Sequence, residues 1–385
     1  MNAERTYDTA VIGAGVFGAW TAYRLREAGH AVALLDGYGP ANSRASSGGE
    51  SRIIRMGYGA DEVYTRWAAR SLALWREFFR EVDRPLFHRT GVLWLARADD
   101  PYTLATIETL VKVGVKFGRL TRAELEGRFP QFNFGPEAWG VFEPDSGVIL
   151  ARSAVREVVR EAVGHGVTYM PEAVVAPESR GRLDCVTTRS GLKLNAANFV
   201  FACGPWLPKL FPRLLGEWIR PTRQEVFFFG VGAGDPAFTT PAMPAWVDFR
   251  ELVYGIPDLE GRGFKLAIDA HGPPFDPDSG ERLATAAGLA LAREQLARLL
   301  PGLRDAPVVE TRVCQYENTP HGDFLIDRHP DFENVWLVGG GSGHGFKHGP
   351  ALGEYVAGKV THADADPEPR FLLSAEGKAR RRLVY

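Results

Sequence analysis

TAVIGAGVFGAWTAYRLREAGHAVALLD, from Thr9 to Asp36, is the stretch whose reading decides the fold. Thr9 to Ile12 is a short apolar run that ends in Gly13-Ala14-Gly15-Val16-Phe17-Gly18. Ala19 to Ala28 has helical character and closes on Gly29, where a left-handed cap is wanted. Ala31 to Leu35 is the next strand, and it stops at Asp36. A bare G-x-G-x-x-G is a weak signal, because glycine turns abound. Here both strands, the helix and a terminal acid are in the order that dinucleotide binding requires. In that arrangement Gly13 makes the tight turn, Gly15 admits a pyrophosphate, and Gly18 lets helix and strand pack closely. Asp36 follows Gly18 by 18 residues, placed to accept hydrogen bonds from a ribose. The motif does not separate one dinucleotide from another, and the rest of the chain must do so.

The 385 residues exceed one comfortable core, so two domains are expected. A formal charge of −2 gives no reason to expect nucleic acid or an acidic membrane surface as a partner. Three scattered cysteines, Cys185, Cys203 and Cys314, are too few for a disulfide framework or a thiolate metal site. No apolar run approaches a membrane span, and the first residues lack the form of a signal peptide. The chain therefore reads as cytoplasmic, with neither membrane nor metal.

A second informative stretch runs from Cys314 to Lys347. Cys314 ends a β-rich run that begins at Val308. A polar turn and a strand candidate, Val335 to Val338, lead into Gly339-Gly340-Gly341-Ser342-Gly343-His344-Gly345-Phe346-Lys347, just before Pro350 and a helix. Glycines at that density let a backbone approach a flat ligand, and the helix behind them aims N–H groups at it. Between these ends lie Ser51-Arg52-Ile53-Ile54-Arg55, whose arginines hold anions or are simply solvated. Lys265 lies in an alternating strand, where solvent is the ordinary destination. Asp61 to Val82 and Ala151 to Gly166 are amphipathic helices, Thr121-Arg122-Ala123-Glu124 reads as a capping box, and Arg282 to Leu300 reads as a long leucine-rich helix.

Together these elements resemble the monomeric sarcosine oxidase family, within the FAD-dependent amine and amino-acid oxidases. The carriers are Cys314-x-Tyr316, Asp327-x-His329-Pro330, Ser342 to Lys347, Ser51 to Arg55, Gly263-x-Lys265-Leu266 and the Ala202-Cys203-Gly204-x-Trp206 turn. The resemblance covers nearly the whole chain. It implies an α/β fold with a Rossmann-type, glutathione-reductase-like FAD-binding domain and a mixed-sheet α+β substrate domain, both discontinuous. The expected division is 1–85, 145–220 and 315–370 for FAD, 86–144 and 221–314 for substrate, and a tail at 371–385.

The resemblance also implies roles. FAD would contact Gly13, Gly15, Val16, Phe17, Gly18, Asp36, Ser51, Arg52, Gly341, Gly343, His344, Gly345 and Lys347, with a thioether from its 8α carbon to Cys314. His344 is expected to face the pyrimidine edge. Arg55 and Lys347 would clamp a substrate carboxylate, with Tyr316 and Asp269 beside it, and an arginine suits that task because its planar fork binds a carboxylate bidentately. Lys265, Arg52 and Tyr254 would act at the flavin, Lys265 being where O2 is reduced, because a fixed ammonium stabilises developing negative charge. His329 and Cys203 read as structural. No strong general base is visible, which fits an amine that binds deprotonated.

Two departures stand out. Gly48 and Asp269 replace family histidines, so Gly48 is expected to open one side of the substrate site, and Asp269 to favour a cationic or polar side chain. His271 would share the face of Asp269 if its strand continues. The reading is a monomeric oxidase of a secondary or N-methylated amino acid that uses O2 and makes hydrogen peroxide. An oxidase or dehydrogenase of a cyclic or primary amino acid is the alternative, and a flavin-binding protein without turnover is the reading from another class.

Overall fold

The computed structural model describes residues 6–362 and 366–374. Its first layer is a seven-stranded sheet ordered Leu325–Arg328, Val335–Gly339, Lys193–Phe201, Tyr7–Ile12, Val32–Leu35 and Thr168–Met170, with Cys185–Thr187 paired to Lys193–Phe201. The five strands from Val335–Gly339 to Thr168–Met170 run parallel. Such strands are covered on both faces, which is why they are nearly all apolar and buried. Helix Val16–Glu27 packs against Ala151–Gly164 and Gly349–Thr361, and Glu62–Glu81 packs on Gly349–Thr361.

The order reverses at Tyr7–Ile12, whose sequence successor Val32–Leu35 lies on one side and Lys193–Phe201 on the other. A crevice opens beyond the carboxyl ends at such a point. Gly13, Asp36, Ala202 and Gly340 all follow strand ends there.

The second layer is an eight-stranded mixed sheet that begins Val308–Asn318, Arg220–Phe229, Phe264–Ile268, Val253–Ile256 and Ala245–Asp248. It continues with Val92–Arg97, Ala138–Glu143 and Gly118–Leu120. A three-stranded sheet, Arg52–Ile54, Gly147–Ile149 and Phe87–His88, carries the arginine segment. The architecture is thus α/β, a Rossmann-type layer beside a mixed-sheet one.

Several local expectations hold in detail. Gly29 takes φ +92° after the first helix, and Thr121 and Glu124 form a reciprocal capping box. Trp75 and Phe78 are core residues. His329 packs between Phe211 and Phe332 and accepts a hydrogen bond from the Asp331 amide.

Others are corrected. The leucine-rich helix spans only Ala286–Leu299, because Thr285 caps it, and Leu283 is 71% exposed outside it. Cys314 does not end its strand: Cys314 to Asn318 continue the ladder against Arg220 to Gln224. The strand carrying Lys265 ends at Ile268, so His271 does not share its face. Phe371 is fully buried, whereas 375–385 of the expected tail lie outside the described residues. Among the described residues no helix is long and apolar enough to cross a membrane.

Candidate functional site

The crevice is a cleft of about 360 Å³ that runs from Glu172 and Arg189 past Gly13, Gly15 and Asp36 to Arg52, Cys314 and Tyr316. Gly13 has φ +104°, and a Cβ there would overlap the Ala202 carbonyl oxygen. A Cβ on Gly18 would overlap the Gly13 carbonyl oxygen, so the helix lies on the strand only because Gly18 has no side chain. Gly15 is different: a Cβ there would meet only Ser47 Oγ, at 3.4 Å, and Gly15 itself lines the cleft. Asp36 accepts from the Ala14 and Tyr38 amides, both at 2.8 Å, and burial pushes its carboxyl above the usual range. Ser47 Oγ accepts from the Val16 amide at 3.0 Å, tying the arginine segment to the helix start.

Two buried polar atoms on the cleft wall, Ser46 Oγ and Glu317 Oε2, have no hydrogen-bond partner among the described residues. Burial raises the Glu317 carboxyl to about 7, against a bond from the Gly341 amide. Unsatisfied polar atoms lining a long cleft suit a ligand rich in hydroxyls, as the ribityl and ribose portions of FAD are. The residues present fit the group.

Of the residues expected to hold it, Gly13, Gly15, Val16, Phe17, Asp36, Arg52, Cys314, Gly341, Gly343 and Gly345 line the cleft. Gly18 packs behind it. Ser51 turns its carbonyl to Lys265. The His344 ring stacks on Phe324 with centroids 4.8 Å apart, and its Nε2 lies 2.8 Å from the Gly322 carbonyl oxygen. That side chain lines neither cavity and does not face the cleft, contrary to expectation. The Ala202 to Trp206 turn does line it, and Cys203 donates to the Ile12 carbonyl as a packing residue.

A smaller cavity of about 70 Å³ adjoins the cleft, and both are lined by Arg52, Cys314, Tyr316 and Gly343. Cys314 Sγ is 3.3 Å from Arg52 Nη2 at this junction. The small cavity also contains Arg55, Tyr254, Asp269 and Lys347.

Arg55 is 4% exposed and donates to the Gly57 carbonyl at 2.6 Å. Its guanidinium carbon lies 4.7 Å from the Tyr58 ring centre and 4.9 Å from those of Trp94 and Phe249. The Arg55 turn is held from below by Glu143, which is fully buried. Glu143 Oε1 accepts from the Gly57 amide (3.0 Å) and Trp94 Nε1 (2.8 Å), and Oε2 from the Met56 amide (2.8 Å) and Ser146 Oγ.

Lys347 is 5% exposed and lies on the short turn Phe346–His348, with its carbonyl fixed by Trp75 Nε1 at 3.1 Å. Lys347 Nζ donates to Tyr58 Oη at 2.8 Å and to the His344 carbonyl at 3.0 Å. Tyr58 therefore joins the two cations, its ring beside one and its hydroxyl on the other.

Tyr316 donates to Asp269 Oδ1 at 2.6 Å. Burial raises the Asp269 carboxyl, while Tyr316, Arg55 and Lys347 oppose that rise. Lys265 is 2% exposed, lines neither cavity, and donates to the Ser51 carbonyl at 2.8 Å, with its Nζ 5.5 Å from the Tyr254 ring centre. Burial and then the neighbouring Arg52 push its amine well below the lysine range. Burial raises the Tyr254 and Tyr316 hydroxyls.

Gly48 lines neither cavity, and a Cβ there would overlap the Asn42 carbonyl oxygen. The expectation that it opens the substrate site is overturned: its backbone is packed too closely for any side chain. Tyr58, Glu143 and Glu317 were not singled out from sequence. Only Glu317, an acid one residue from Tyr316 on the strand that carries Cys314, carried a visible signal.

The profile of the family described as FAD dependent oxidoreductase matches residues 8–359. Monomeric sarcosine oxidase of Arthrobacter sp. (strain TE1826) is 30% identical over 384 residues, covering 94% of this chain and 95% of that one. N-methyl-L-tryptophan oxidase of Salmonella newport (strain SL254) is 30% identical, covering 94% and 97%. Among solved structures, L-proline dehydrogenase from P. horikoshii superposes with a TM-score of 0.85 over 97% of this chain and 98% of that one, at 20% identity, a likeness of fold.

Proposed function

The chain belongs to the FAD dependent oxidoreductase family, and on that premise we propose that it oxidises the C–N bond of a secondary or N-methylated amino acid, with O2 as acceptor. The observation that carries this is the junction at Cys314 and Tyr316. A cleft fitted to FAD meets a small cavity there, and two nearly buried cations, Arg55 and Lys347, stand in that cavity's wall. Two cations on one cavity wall suit a planar carboxylate, which each can hold by charge-assisted hydrogen bonds. Asp269 feels both of them across the cavity.

FAD held in the cleft would supply the hydride-accepting and O2-reducing chemistry, which gives hydrogen peroxide and an imine that water hydrolyses. The protein's share is placement and charge. Arg55 and Lys347 hold the carboxylate, with Tyr58 keeping them in register. Tyr316 and Asp269 border the amine, and Tyr254 bounds the cavity. Cys314, at the cleft wall beside Arg52, is the attachment point proposed for the flavin's 8α carbon. Lys265, whose amine donates to the Ser51 carbonyl next to Arg52, is the group proposed to meet the negative charge that develops on oxygen. The names of the relatives, a sarcosine oxidase and an N-methyl-L-tryptophan oxidase, support the substrate class. The name of one relative, a monomeric sarcosine oxidase, supports a monomer.

The test is peroxide formation in air across a panel of N-methyl, cyclic and primary amino acids. Turnover of N-methyl or cyclic secondary members is the expected result. Peroxide from primary amino acids alone would overturn the substrate class, and turnover only with an artificial electron carrier would overturn the oxidase reading.

A further inference from the structure

We propose that Asp269, hydrogen-bonded to Tyr316, receives the proton of the substrate's ammonium group, so that the site takes the zwitterionic amino acid and not only its neutral amine. This rests on the reading above and deepens it, because a resident proton acceptor replaces the need for an already deprotonated amine.

The geometry points to Asp269 in three ways. First, its partner Tyr316 lines both the cleft and the small cavity, so the pair stands where a substrate C–N bond must meet the flavin. Second, Tyr316 engages Oδ1 alone, and among the described residues no donor bonds to Oδ2, which remains available to a substrate N–H. Third, the Asp269 amide donates to the Leu252 carbonyl at 2.6 Å while its carboxylate accepts from Tyr316, so backbone and side chain are each held at the cavity. A proton acceptor has to be within hydrogen-bond reach of its proton before its acidity matters.

The charges around it make the acceptor responsive. Around Asp269 are Arg55 and Lys347, Tyr316 from the edge strand Val308–Asn318, Tyr254 from the neighbouring strand Val253–Ile256, and His271, whose ring centre lies 6.5 Å from that of Tyr316. With the cavity free of substrate, burial already raises the Asp269 carboxyl and the two cations oppose that rise. When a substrate carboxylate settles on Arg55 and Lys347, their pull on Asp269 is largely offset, and the carboxyl rises further. The acceptor thus becomes more basic as the ammonium arrives beside it.

The proton and electrons balance. An N–H bond of the ammonium breaks and an O–H bond forms on Asp269. The freed lone pair makes the C=N bond as hydride leaves the carbon. That hydride and the proton held on Asp269 together supply the two hydrogens of hydrogen peroxide.

The experiment compares flavin-loaded wild type, Asp269→Asn and Asp269→Glu, following anaerobic bleaching of the flavin from pH 6 to 10. The probe is N-methylglycine, L-proline or whichever panel member bleaches wild type. An alkylammonium with a pKa of about 10.4 is neutral to roughly one part in 10³ at pH 7. Asp269→Asn should therefore bleach on the order of 10²–10³-fold more slowly at pH 7, recovering about tenfold per pH unit towards the amine's own pKa. Asp269→Glu should keep the shallow wild-type profile. A pH-independent loss in Asp269→Asn, or an unchanged profile, would overturn the proposal while leaving the oxidase reading in place. Failure of every amino acid to bleach wild type would remove the oxidase reading and this proposal with it.

Discussion

Replacing Glu143 with glutamine tests how the carboxylate clamp is built, far from any ligand. The Glu143 carboxylate is fully buried and takes four donors, two on each oxygen. In the glutamine variant Oε1 still serves the Gly57 amide and the Trp94 indole. The new NH2 group, however, faces the Met56 amide, and donor meets donor. Ser146 escapes, because its hydroxyl can rotate and accept. One buried backbone N–H is left without an acceptor, which costs about 1–3 kcal/mol. Turning the amide over does not help, since it strands the Gly57 amide and the indole instead. The consequence reaches the site because Arg55 Nη1 is bonded to the Gly57 carbonyl, part of the same turn. A loss of about 1.4 kcal/mol in carboxylate binding is a tenfold change, so KM for the amino acid should rise about tenfold with kcat little altered. The assays are urea unfolding of the flavin-loaded protein and steady-state peroxide formation. Unfolding within about 0.5 kcal/mol of wild type, together with an unchanged KM, would refute the idea that this carboxylate holds the Arg55 turn.

Lys265→Met should leave anaerobic bleaching intact while slowing reoxidation by O2 about 10²-fold. It should not lower thermal stability, because it removes a buried amine whose charge burial already disfavours. Gly48→His, which restores the residue of the resembled family, should cost about 2 kcal/mol or more through overlap with the Asn42 carbonyl, read as a lower Tm with no gain in turnover of N-methylglycine. Glu317 gives a pH dependence in a Cys314→Ala variant washed free of flavin. Its carboxyl is raised from 4.5 to about 7 in the folded chain, so the native state holds the proton longer and stability falls as pH rises from 4.5 to 7. The span is about 3 kcal/mol, and Glu317→Gln should flatten it; a wild-type profile that rises across that window would contradict the assignment.

The dinucleotide site was legible because its demands are local. Gly13 must turn, Gly18 must let the helix touch the strand, and Asp36 must close the next strand, all within 28 residues. The small cavity was legible only through resemblance. Strand alternation places Lys265 on one face but does not say that the Ser51 backbone covers that face. Gly48 misled because a missing side chain reads as added space, whereas the Asn42 backbone fills it. Tyr58 and Glu143 carried no signal, since their importance arises from contacts across more than 80 residues of chain: Tyr58 to Lys347 and His348, and Glu143 to Met56 and Gly57. His344 lies in a glycine-rich turn that does approach the cleft, yet its own ring is claimed by Phe324 and Gly322.

The most direct measurement of the central claim is anaerobic mixing of the flavin-loaded protein with a matched pair, the amino acid that supports peroxide formation and its carboxamide. If Arg55 and Lys347 are completed by a substrate carboxylate, the amino acid bleaches the flavin. The carboxamide, lacking the negative charge that Arg55 and Lys347 would hold, does so at least about 100-fold less efficiently. Equal bleaching by both would contradict the account, because the two cations would then have no part in choosing the substrate.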